Sequence, residues 1–94
     1  MIGEVAVIPQ VEGSGREIVA KAVAEIAAQG LRYEVGATAT SVEGELEAIL
    51  DAVRAIESRL RAEGVRRALI ELRLQLEPHP ETLEHQVEGV VAHA

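Results

Sequence analysis

The stretch LRYEVGATATSVEGELEAIL, Leu31 to Leu50, decides the fold. Its first part alternates Leu31, Tyr33 and Val35 with Arg32 and Glu34, the period-two pattern of a half-buried strand. Gly36 then begins a reversal into a second short strand through Thr40 or Val42, so the two strands read as a hairpin. From Glu45 the apolar period becomes helical, with Leu46, Ile49, Leu50, Val53, Ile56 and Leu60 on one face. Glu45 and Glu47 lie near the positive end of that helix dipole, Arg59 and Arg61 near the negative end, and Gly64 stops the helix.

On the N-terminal side, EVAVIP (Glu4 to Pro9) is a short apolar run with a terminating proline, which suits a central strand. Val5 and Val7 point one way and Ala6 and Ile8 the other, so both faces of this strand require cover. EGSGREIVAKAVAEIAAQG follows. Ser14 stands three residues before Glu17, a capping-box spacing, and Gly30 occupies the place of a left-handed helix end. Ile18, Val19, Ala22, Val23 and Ile26 form the apolar stripe of this first helix.

On the C-terminal side, VRRALIELRLQLE places Ala68, Ile70, Leu72, Leu74 and Leu76 on one face. Arg67, Glu71, Arg73, Gln75 and Glu77 take the other, with Leu69 as the exception. At about 3.3 Å per residue this is an expected strand of roughly 40 Å, longer than its neighbours. Pro78 and Pro80 break it, and Leu83, Val87, Val90 and Val91 suggest a short terminal helix fraying toward Ala94.

The order strand, helix, strand, strand, helix, strand makes residues 1–94 a single ferredoxin-like βαββαβ domain of the α+β class. Two right-handed split crossovers build a four-stranded antiparallel sheet with both long helices on one face. The other face is then bare. A second subunit is the expected cover, with Arg67, Glu71 and Arg73 at the contact or its rim, and the long fourth strand offers an edge for further pairing.

Composition narrows the function. With 94 residues the chain buries a modest core and has no room for a separate substrate domain. Nine basic residues against sixteen acidic ones, net charge -7, and Tyr33 as the sole aromatic argue against nucleic-acid binding. Without cysteine there is no disulfide, thiolate metal site or thiol nucleophile. The N-terminus carries Glu4 within its apolar run and lacks a basic start, and no stretch approaches the ~20 apolar residues of a membrane span. A cytoplasmic protein with no membrane partner is the expectation.

Sites of chemistry are few. Ser14 between glycines reads as a helix cap rather than an anion cradle. His79, His85 and His93 all fall in the tail, without the i, i+4 spacing of a helical zinc pair. No Ser, His and acid set stands out, so an enzyme is not expected. Glu43 has two readings: an acid gaining about 0.3 to 1 kcal/mol near a helix start, or a ligand acceptor beside Thr38 and Thr40.

Three segments, IPQ ending the first strand, GLRYEVG before the hairpin, and TSVEGELEAILDAV, resemble the small thiamine-binding protein family of ferredoxin-like fold. The likeness extends over nearly the whole chain. It implies a homodimer or homotetramer that binds thiamine or its hydroxymethylpyrimidine half, needs no cofactor and performs no chemistry. By position, the family's threonine falls on Thr40 and its acidic-glycine pair on Glu43 and Gly44, while Tyr33 and Pro9 also match. Ala37 stands where a proline is usual and Gln86 where a lysine is common. In that picture Glu43, Thr38 and Thr40 satisfy the aminopyrimidine edge, Tyr33 offers a ring face, and Gly44 admits close backbone approach.

Overall fold

The computed structural model describes residues 1–90, in the order β1 (Ile2–Pro9), α1 (Arg16–Ala28), β2 (Arg32–Val35), β3 (Thr40–Glu43), α2 (Leu46–Ala62), β4 (Ala68–Gln75) and α3 (Leu83–Val87). The expectations for Val91, His93 and Ala94 lie outside the described residues. The strands form one antiparallel sheet in the order β2-β3-β1-β4, as the ferredoxin-like reading requires.

Val5 pairs with Thr40 and with Leu72, and Tyr33 pairs with Val42. These residues therefore share the helix-covered face, where Val5, Val42, Ile26, Ile49, Ile56 and Leu60 are buried in one core. Each such aliphatic side chain contributes about 1.5 to 3 kcal/mol on leaving water, which makes this layer the main source of stability. The two helices are further joined at their surface. Lys21 pairs with Glu63 at 2.9 Å, and Arg59 reaches both Glu25 (3.1 Å) and Glu63 (3.4 Å). The hydrogen bond from Lys21, followed by its charge and the Arg59 contacts, holds the Glu63 carboxyl below its ordinary pKa.

The helix ends repeat the sequence logic in part. Gly30 and Gly64 have φ of 73° and 79°, the left-handed conformation that closes α1 and α2. At the start of α1, however, Gly15 and not Ser14 holds the cap position, and Ser14 Oγ accepts the Arg16 N–H at 3.2 Å. The expected capping box is thus replaced by a tighter turn one residue earlier. Gly15 is there because Pro9 crowds it: a Cβ at this position would meet Pro9 Cγ at 2.5 Å.

Two strands differ from expectation. β4 spans eight residues, the same as β1, because its regular pairing runs from Ala68 opposite Pro9 to Gln75 opposite Ile2 and there β1 ends. Leu76 beyond it is 91% exposed. β2 is an edge strand whose four residues are all exposed. Leu31 just before it is buried instead.

The face opposite α1 and α2 carries Ile2, Glu4, Ala6 and Ile8 of β1 and Leu69, Glu71 and Arg73 of β4. α3 covers one end of it. Leu83 is buried there, as is Ile2, and neither belongs to the main core. At the other end Ile8 and Leu69, directly paired, remain 43% and 53% exposed.

Candidate functional site

β1 runs toward the same end of the molecule at which α1 begins and the β2–β3 hairpin turns. Gly36 N–H donates to Ala39 C=O at 2.8 Å, closing that turn. Between α1 and the hairpin lies a cleft. Its inner part, about 130 Å³, is lined by Val5, Ala22, Ile26, Thr38 and Thr40 among others. Its outer part, about 740 Å³, opens past Pro9, Gly15 and Arg16. Both parts share Val7, Val19, Val23, Val35, Gly36 and Ala37, so they run together. An apolar concavity of this size with a few polar groups is the usual form of a small-molecule site.

Thr40 is the polar residue buried among the described residues, at 5% exposure, and it lines the inner cleft. A threonine on an otherwise aliphatic wall gives a guest one hydroxyl with which to bond. Thr38 is exposed at the hairpin tip and lines both this cleft and a small hollow on the opposite face with Glu4, Glu71 and Arg73. Arg16 is the charged side chain among those lining the cleft.

The remaining residues singled out in the sequence stand elsewhere. Glu43 ends β3 opposite Arg32 and Ile2, on the face away from α1. Its Oε1 accepts the Leu83 N–H at 2.8 Å and its Oε2 lies 3.9 Å from Arg32, which also pairs with Glu84. α2 starts later, capped at Glu45, so the acid in its first turn is Glu47. Gly44 donates its N–H to Met1 C=O at 3.0 Å, and a Cβ there would meet Leu31 Cδ2 at 2.3 Å. Tyr33 lies half out of the sheet on the helix side and is not among the residues lining the cleft. The structure therefore brings Thr38 and Thr40 together and separates them from Glu43, Gly44 and Tyr33.

Sequence reasoning passed over Val19, Val23 and Val35 as site residues. Val19 and Val23 had a place in the α1 stripe, but that stripe is wider than the core: Ala22 and Ile26 are buried while Val19 and Val23 are only half-buried at the cleft. Among the described residues no group of His, Asp or Glu is arranged to hold a metal ion, and no helix is long and apolar enough to cross a membrane.

A ferredoxin-like α+β domain with an aliphatic cleft beside its hairpin is the class that these features define. The chain belongs to the thiamine-binding protein family, whose model matches residues 3–91. Its structure is similar to that of a proposed thiamine biosynthesis/salvage protein from Thermotoga maritima, with 30% identity, a TM-score of 0.85, and 95% of this chain and 96% of that one covered. A hypothetical protein from Methanocaldococcus jannascii is 27% identical with a TM-score of 0.84, over 96% and 94% of the two chains. A domain of unknown function from Bacillus cereus is 28% identical with a TM-score of 0.81, over 92% and 85%. No curated protein matches the chain.

Proposed function

We propose that this protein binds thiamine or its hydroxymethylpyrimidine half in the cleft between α1 and the β2–β3 hairpin. It acts as a carrier, buffer or sensor and performs no chemistry on the ligand. The observation that carries the reading is Thr40, a buried threonine on an aliphatic cleft wall, in a member of the thiamine-binding protein family. The valines enclose the ring, Thr40 bonds a ring nitrogen or the exocyclic amine, and Thr38 closes over it from the hairpin. Arg16 at the mouth disfavours the thiazolium cation, so the neutral aminopyrimidine is the part that enters.

Self-association is part of the same proposal, as a homodimer or homotetramer formed through the open sheet face and an edge strand. The exposed Ile8–Leu69 pair supports it. A cytoplasmic setting belongs to the same proposal, with the pyrimidine as the partner and neither nucleic acid nor membrane required. Calorimetric titration with thiamine and with hydroxymethylpyrimidine tests the binding. Saturable heat with both, tighter for hydroxymethylpyrimidine, is the expected result. No heat and no thermal shift with either at millimolar concentration would leave a structural or regulatory module binding some other effector.

A further inference from the structure

We propose a second site, for an anion of the phosphate monoester class, in the cavity between the end of α2 and the start of β4. This cavity holds about 340 Å³ and is lined by Gln10, Arg61, Arg66, Arg67 and one carboxylate, Glu57, over an apolar floor that includes Leu60 and Val65. Its walls are held by backbone: Gln10 N–H donates to Arg67 C=O at 2.9 Å, and Val65 N–H to Leu60 C=O at 3.0 Å.

Charge is what distinguishes it. The chain has nine basic residues and a net charge of -7, so most cations find a carboxylate close by. Lys21, Arg32, Arg54, Arg59 and Arg61 all do. Among the described residues, Arg16, Arg66, Arg67 and Arg73 have no carboxylate within ion-pair distance; Arg16 and Arg73 stand singly, whereas Arg66 and Arg67 lie together on this cavity. Arg61 adds a third guanidinium, tied to Glu57 through Nη2 alone at 3.3 Å, an exposed pair that leaves its other donors available. Three arginines against one glutamate, on an otherwise acidic molecule, make a local positive field of the kind that attracts a dianion. The planar, many-donor guanidinium suits phosphate oxygens, and the apolar floor takes the organic body of the ester.

The inference is independent of the pyrimidine cleft, which lies on the α1 side of β1. Titration with inorganic phosphate and with pyrophosphate at low ionic strength tests it by calorimetry. Saturable binding is expected, weakened by added sodium chloride and reduced about tenfold or more in the double variant R66A/R67A. R66K/R67K should retain part of the affinity, and circular dichroism melts should show both variants folded. Thr40→Val should leave phosphate binding unchanged while weakening the pyrimidine, so the two proposals fail separately. The site is overturned by absence of phosphate binding at about 10 mM, or by equal binding in R66A/R67A. It is equally overturned if phosphate does not bind and the double variant instead lowers the oligomeric mass, which would assign these arginines to a second subunit's carboxylates.

Discussion

Glu43 Oε1 accepts the backbone N–H of Leu83 at 2.8 Å, and this bond ties the end of β3 to the short helix that covers one end of the open sheet face. Hydrogen bonds to a charged acceptor contribute about 1.5 to 3 kcal/mol. Glu43→Ala is therefore expected to release α3 and speed amide exchange at Leu83 and His85. Glu43→Gln keeps an acceptor oxygen for the Leu83 N–H, losing the charge assistance of that bond and the weak Arg32 attraction at 3.9 Å, so its melting temperature should fall less than that of Glu43→Ala. Because Glu43 faces away from the cleft, pyrimidine affinity should stay within about twofold in both variants. A loss of tenfold or more in Glu43→Gln with unchanged stability would move the ligand to Glu43.

Thr40 makes the opposite prediction. Replacing its hydroxyl with a methyl in Thr40→Val keeps the shape of the side chain and removes the group proposed to bond the ligand. Stability of the free protein should hold or rise slightly, while affinity for hydroxymethylpyrimidine falls about tenfold, the worth of one buried hydrogen bond. Thr38→Val, at the exposed hairpin tip, should cost less than Thr40→Val. Paired thermal melts and titrations separate the two effects; a destabilised Thr40→Val with full affinity would make the hydroxyl structural.

Much of the fold was legible because period and punctuation agree along the chain. The change at Leu31–Leu50 from period two to helical spacing marks β2, β3 and α2, and the glycines at 30 and 64 mark two helix ends. The length of β4 was not, since LQLE continues the alternation while a strand lasts only as long as its neighbour β1 pairs with it. The site was less legible than the fold. Thr40 and Glu43 are three residues apart on one strand, and alternation places them on opposite faces, yet their closeness in sequence invites a single site. Glu43 answers to Leu83, forty residues on, and no local pattern announces that contact. The same holds for Gly44, whose lack of a side chain makes room for Leu31.

The tail carries a pH dependence. The Nδ1 of His85 bonds the Glu81 carboxylate one helical turn earlier, and Thr82 Oγ1 accepts the His85 N–H at 3.1 Å. The Glu81 bond, then its charge, raises the His85 pKa above the ordinary 6.5. The same bond, with help from the Thr82 N–H, lowers Glu81 below the ordinary 4.5. The histidine's contribution to stability is complete below pH 6.5 and lost as pH rises through its raised value. The glutamate's is complete above pH 4.5 and lost as pH falls through its lowered value. α3 should accordingly be best held between those limits. Ring-proton NMR should show His85 titrating above its ordinary value, and Glu81→Gln should return it there. Titration at the ordinary value in the unmodified protein would mean that the pair does not form in solution.

The open end of the sheet face gives the last test. Ile8 and Leu69 are paired across β1 and β4, both point away from α1 and α2, and both remain about half exposed. Neighbouring pairs on the same face, Glu4 with Arg73 and Ala6 with Glu71, are charged or small. The arrangement is an apolar spot rimmed by both signs of charge, which in the proposed oligomer a second copy turned by a two-fold axis would meet with its own Ile8 and Leu69. Placing a carboxylate there should oppose its symmetry mate as well as forfeit the apolar contact. Light scattering at micromolar concentration is expected to give a multiple of the 10.0 kDa chain mass for the unmodified protein. Leu69→Glu should shift it toward the monomer. Since Leu69 is exposed within a subunit, the variant should keep its secondary structure, and Leu69→Lys should act in the same direction because like charges again face each other across the axis. A monomeric unmodified protein would remove the proposal. So would an oligomer unchanged in both variants, which would shift the contact to an edge strand.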